Sequence, residues 1–168
     1  MPNWAIHLIV PLLALLIVSR KDDWKYILLL LPLAVISDLD TFFTQHRALL
    51  HNIFIPVLLL LVGWGLKKYR TIFVISAVYF ASHILMDMFG GGVVLFYPFY
   101  DRMAFVNTSL IFEPGNKLLW SFDYGFEEYG PEWKKGLGYI TDSPGTGAML
   151  FVLFAGMWAT YRRHRENI

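Results

Sequence analysis

The stretch Ser37–Asn52, SDLDTFFTQHRALLHN, sets Asp38, Asp40, His46, Arg47 and His51 between two strongly apolar runs. Ionisable side chains at the edge of a hydrocarbon-spanning segment are costly, so their default reading is functional. Asp and His at close spacing, in a chain without cysteine, read first as a site for a hard or borderline divalent metal. A second fragment answers from another apolar run: His83-Ile-Leu-Met-Asp87. Four residues apart, His83 and Asp87 share one helix face. That suits two ligands of one metal, or a buried His–Asp hydrogen bond that locks two helices.

The surroundings look like a membrane scaffold. The chain has 168 residues, 57% hydrophobic and 16% charged, where a soluble domain carries about a quarter charged. Five apolar segments stand out, roughly 4–19, 24–38, 49–66, 71–89 and 146–161. The composition predicts an all-α integral membrane protein, a bundle of about five transmembrane helices with an aromatic-rich outer loop. It is read as one membrane-embedded domain over 1–168. The helical core is 1–100 and 146–161, the outer loop or lid is 101–145, and the basic cytoplasmic tail is 162–168. A hairpin is expected in the loop around 103–112 and 118–126. The first run lacks a basic flank and a small-residue cleavage site, so it reads as a retained helix rather than a signal peptide.

Charge placement orients this scaffold. Arg20, Lys21, Lys25, Lys67, Lys68, Arg70, Arg162, Arg163 and Arg165 fall on one side of a five-span arrangement, which the positive-inside rule makes cytoplasmic. His7, Asp38, Asp40, His46, His51, His83 and Asp87 then share one depth on the outer side of a cell (inner or plasma) membrane. Net charge is +1, so bulk charge points to no nucleic-acid partner. On a continuous helix Asp38 and Asp40 diverge by about 200°. Both turn inward only if the helix ends there. One would then bridge metals while the other orients or deprotonates a water. His46 is expected to ligate from the turn and His51 from the helix. Arg47 suits a phosphate oxygen pair. His7 reads equally as a ligand or as a core histidine.

His7, Asp38-x-Asp40, His46-Arg47-x-x-x-His51-Asn52 and His83-x-x-x-Asp87, followed by a glycine-rich turn and Tyr97-Pro98-Phe99, resemble the YdjM-like family of inner-membrane metal-dependent hydrolases. That family's pattern is a D-x-D-H, an H-R-G-x-T-H-S and an H-x-x-x-D before a Pro-Phe turn. Here Thr41, Ala48, Leu50 and Asn52 depart from it. The resemblance covers about residues 1–100 and extends distantly to zinc-dependent phospholipase C and the P1-type nucleases. It implies two or three divalent ions, zinc by analogy, and hydrolysis of a phosphoester. The combined expectation is a membrane-embedded metallohydrolase. His7, Asp38, Asp40, His46, His51, His83 and Asp87 hold metal, with Asp38, Asp40 and Arg47 in catalysis and a phosphorylated lipid or isoprenoid as substrate. The rivals are a metal- or proton-coupled transporter, whose site belongs near the midplane between repeats, and a non-catalytic scaffold with a structural metal.

Overall fold

The computed structural model describes residues 4–42, 47–113 and 117–130, together with Phe154, Gly156, Trp158 and Arg162. In chain order these form helix α1 (Trp4–Val18), a 3-10 turn (Lys21–Asp23), α2 (Trp24–Leu29), α3 (Leu33–Ile36) and a second 3-10 turn (Ser37–Phe42). Then come α4 (Phe54–Gly65), a third 3-10 turn (Lys67–Tyr69), α5 (Arg70–Phe89) and strands β1 (Met103–Glu113) and β2 (Lys117–Glu127).

This overturns the expected all-α bundle of about five transmembrane helices. Among the described residues, only Lys67–Phe89 is a helical stretch long and apolar enough to cross a bilayer. At 23 residues it matches a hydrocarbon core about 30 Å thick. The others fall short because an apolar run is not a helix. α1 has 15 residues. The run 24–38 is cut at Pro32, which has no amide hydrogen to give; α2 stops at Leu29, and a tight turn leads into the four-residue α3. The run from 49 does not turn helical until Phe54, because Asn52 Oδ1 accepts the amides of Phe54 and Ile55 and starts the helix there. Most of the fifth segment, 146–161, lies outside the described residues. So do residues 131–145 of the expected lid, and the tail apart from Arg162. The fold is not all-α either, since β1 and β2 pair antiparallel from Met103↔Glu127 to Glu113↔Lys117.

α5 is the axis of the assembly, packing on α1, α2, α3, α4 and β1. Its core is Leu12 and Leu15 of α1, Ile27 of α2, Ala34 of α3, and Ile75 and Tyr79 of α5 itself. Each fully buried Leu or Ile contributes roughly 1.5–3 kcal/mol. The Tyr79 hydroxyl donates to the Ile27 carbonyl at 2.7 Å, where the break after α2 leaves an acceptor. At the α4–α5 crossing, a Cβ on Gly63 would meet Phe73 Cβ at 2.8 Å. Gly63→Val therefore pushes the helices apart. Chemical denaturation should show a loss of about 1–3 kcal/mol, the usual cost of overpacking.

The chain after α5 turns at Gly90-Gly91-Gly92, with Gly91 and Gly92 at φ 124° and 92°. Only glycine adopts such angles without penalty. Residues 93–95 then form a strap. Val94 N donates to Arg47 O at 2.8 Å, Ile53 donates its amide to Leu95 O at 2.9 Å, and Val93 exchanges both bonds with Ala104 of β1. The strap thus stitches the loop before α4 to the base of the hairpin.

Candidate metal centre

Four side chains from three elements converge. Asp38 comes from the 3-10 turn after α3, His51 from the loop before α4, and His83 and Asp87 from the last turns of α5. One ligand atom from each lies within 4.8 Å of all the others. His51, His83 and Asp87 are buried, and Asp38 keeps 12% of its side chain in contact with solvent.

Hydrogen-bond accounting fixes what these atoms offer. His83 Nδ1 lies 2.6 Å from the carbonyl of Ala34, which can only accept, so Nδ1 carries the proton. His51 Nδ1 lies 2.7 Å from Asp40 Oδ2, and an ionised carboxylate can likewise only accept. With their outer nitrogens spent, both rings turn Nε2 inward. The two Nε2 atoms are 3.1 Å apart. His51 Nε2 stands 3.0 Å from Asp87 Oδ2 and 3.6 Å from Asp38 Oδ1. His83 Nε2 stands 3.4 Å from Asp38 Oδ1 and 3.6 Å from Asp87 Oδ2. Left as bare lone pairs these four atoms repel one another, so either a proton on an imidazole or a cation must stand between them. A regular tetrahedron with bonds of roughly 2.0–2.1 Å has edges of about 3.3–3.4 Å. The five distances bracket that value, so the group can hold one divalent ion.

Charge reinforces the point. Burial alone would raise the Asp38 carboxyl, but hydrogen bonds with His51 and His83 outweigh it and hold the group well below the usual carboxylate range. Burial also opposes a charged His51. Its bonds with Asp38, Asp40 and Asp87 outweigh that, so without an ion the ring keeps its proton well above the usual histidine range. A metal must displace this proton, so binding releases protons and weakens as pH falls. Metal titrations at stepwise lower pH should show a falling affinity, with proton uptake by the buffer on loading.

The other predicted residues take different places. Asp40 is fully buried on the far side of the His51 ring, where it orients the imidazole and accepts the Leu50 amide at 3.4 Å. The two acids thus flank one histidine instead of facing a shared metal. His7 stacks on His83 with centroids 4.2 Å apart and sets Nε2 3.4 Å from Asp87 Oδ1. It adjoins the four-ligand group and does not join it. His46 lies outside the described residues. Arg47 is buried in a left-handed conformation, φ 66°, and donates to Gly92 O at 3.1 Å and Gly90 O at 3.4 Å. Its guanidinium ties the His51 loop to the turn that follows Asp87. Among the described residues no second group of three or more His, Asp or Glu side chains converges, so the expected second and third ions have no cluster of their own there.

Sequence reasoning missed two participants. The Ala34 carbonyl carries no signal in its residue type. Tyr129, after β2, packs with Tyr97 against Ala48, Val94 and Met103. Burial raises its phenol, and the Asp40 carboxylate adds to the shift, which places it within electrostatic reach of the site.

No protein-family model, curated protein or solved structure matches this chain.

Proposed function

We propose that this protein is a metal-dependent hydrolase that cleaves a phosphoester of a lipid or isoprenoid-type substrate at a membrane–water interface, with a single zinc ion as cofactor. The convergence of two imidazole Nε2 atoms and two carboxylate oxygens carries this reading. Asp38, His51, His83 and Asp87 would hold the ion. When bound, it would polarise a phosphoryl oxygen and bring a coordinated water toward a neutral pKa. Of the four, Asp38 alone keeps clear solvent contact, and its role would be to orient the attacking water. Asp40 and the Ala34 carbonyl fix the two imidazoles. The sequence resemblance to the YdjM-like hydrolases supports the same chemistry.

The membrane part of the reading rests on α5 and on apolar surface. α1 runs from His7 towards Arg20, and α5 from Arg70 towards Asp87. The cluster and the basic residues Arg20, Lys21, Lys68 and Arg70 therefore lie at opposite ends, and the positive-inside rule puts the cluster outside. Large side chains such as Val18, Leu29 and Trp64 are left exposed. A metal-supplemented activity screen over phospholipids and isoprenoid phosphates tests the proposal. Hydrolysis that disappears in Asp38→Ala supports it, and inactivity of fully metallated protein on every such substrate overturns it.

One observation favours a structural metal instead. Four protein ligands and near-complete burial describe a closed site, whereas catalytic zinc usually keeps a position for water. X-ray absorption on metallated protein separates the two: a bound water or fifth oxygen belongs to the hydrolase, four protein donors alone to the structural ion.

A further inference from the structure

We infer that the β1–β2 hairpin lies flat on the bilayer surface, its aromatic face against lipid and its opposite face in water. The register sorts the ribbon into two unlike faces. Leu110 pairs with Trp120, Phe112 with Leu118, Thr108 with Phe122 and Val106 with Tyr124, all on one side. The other side carries Asn107 opposite Asp123 and Ser109 opposite Ser121 in its middle, with Ile111 opposite Leu119 near the tip and Phe105 folded over Gly125 near the base. The apolar face is uncovered: Phe112 is 68% exposed, Trp120 75% and Tyr124 72%.

Three observations favour lipid over another occupant. Trp and Tyr rings, apolar in body and polar at one end, are the side chains that settle at a headgroup boundary. The face also continues into other exposed apolar surface. Phe126 meets Tyr100 at 5.6 Å, and neighbouring Phe99 meets Phe54 at 5.5 Å. From Phe54 an exposed stripe runs along α4 through Val57, Leu58, Leu61 and Trp64 at helical spacing. Finally, a ribbon of eleven-residue strands, about 35 Å long and 10 Å wide, offers roughly 350 Å². By itself that is under half of the ~800 Å² per partner that a stable dimer buries. Among the described residues no further strand pairs with the ribbon's outer edges beyond Ala104, and open strand edges forbid deep insertion and hold the ribbon at the surface.

The inference rests on the membrane location proposed above and deepens it. The strap carries the hairpin directly onto the loop that bears His51, so a seated hairpin would present the site to the phosphate layer. The chain has no cysteine. Trp120→Cys, Phe122→Cys and Ser121→Cys in the full-length protein therefore each give one labelling position. The probe is an NBD fluorophore in vesicles of phosphatidylcholine and phosphatidylglycerol, quenched either by shallow doxyl lipid or by aqueous iodide. Doxyl quenching should be several-fold stronger at 120 and 122 than at 121, and iodide quenching should show the reverse order. Equal iodide access at all three overturns the inference. So does protection of 120 and 122 from both quenchers, which a second copy or another segment of the chain would give. Flotation of the same vesicles reads membrane attachment separately. Protein that floats without the face contrast defeats the hairpin inference alone; protein that never floats defeats the membrane location with it.

Discussion

Purified His83→Ala should retain no stoichiometric divalent metal, where the unaltered protein should carry one ion per chain. His83 supplies one of four donors, and its Nε2 is central to the cluster, 3.1 Å from His51 Nε2 and 3.4 Å from Asp38 Oδ1. Losing it leaves three donors and a void, and the Ala34 carbonyl loses its buried donor as well. Asp87→Ala should behave alike, because Asp87 Oδ2 is the nearest oxygen to His51 Nε2 at 3.0 Å. Elemental analysis after dialysis against metal-free buffer is the check. Full occupancy in either variant would remove the centre from consideration, provided circular dichroism shows the helices intact.

The second large effect belongs to a residue that does not touch the ion site. Asp40→Ala removes the acceptor that holds the His51 tautomer. Carboxylates in this position typically account for about 10–100-fold in metal affinity. A chelator competition should show that loss, and Asp40→Asn, which keeps an oxygen acceptor without its charge, should fall between. If Asp40→Ala only lowered the melting temperature and left chelator competition unchanged, Asp40 would be a packing residue.

The centre was legible in the sequence where periodicity alone decides geometry. His83 and Asp87 sit four apart on a continuous helix, so their shared face followed from helix geometry. Asp38 and His51 were legible as residue types that are costly between apolar runs. The division of labour between Asp38 and Asp40 was not, because it depends on a 3-10 turn that sets them on either side of one imidazole. Arg47 reads as an anion clamp in sequence; its left-handed backbone and the two glycine carbonyls that receive its guanidinium are tertiary facts. The fold misled for a related reason. Hydropathy measures how long a run is apolar, whereas Pro32 and Asn52 decide where helices stop and start. The hairpin was legible from its turn signals: the strands expected around 103–112 and 118–126 lie at Met103–Glu113 and Lys117–Glu127.

The three glycines after α5 have a consequence for what lengths of chain this protein tolerates. Gly90 and Gly92 both give their amides to the Asp87 carbonyl, and both give their carbonyls to Arg47. One short turn therefore gauges the distance between the helix that bears two donors and the loop that bears a third. Insertions are ordinarily well accepted between secondary elements, but a single added residue here would move the two halves out of step.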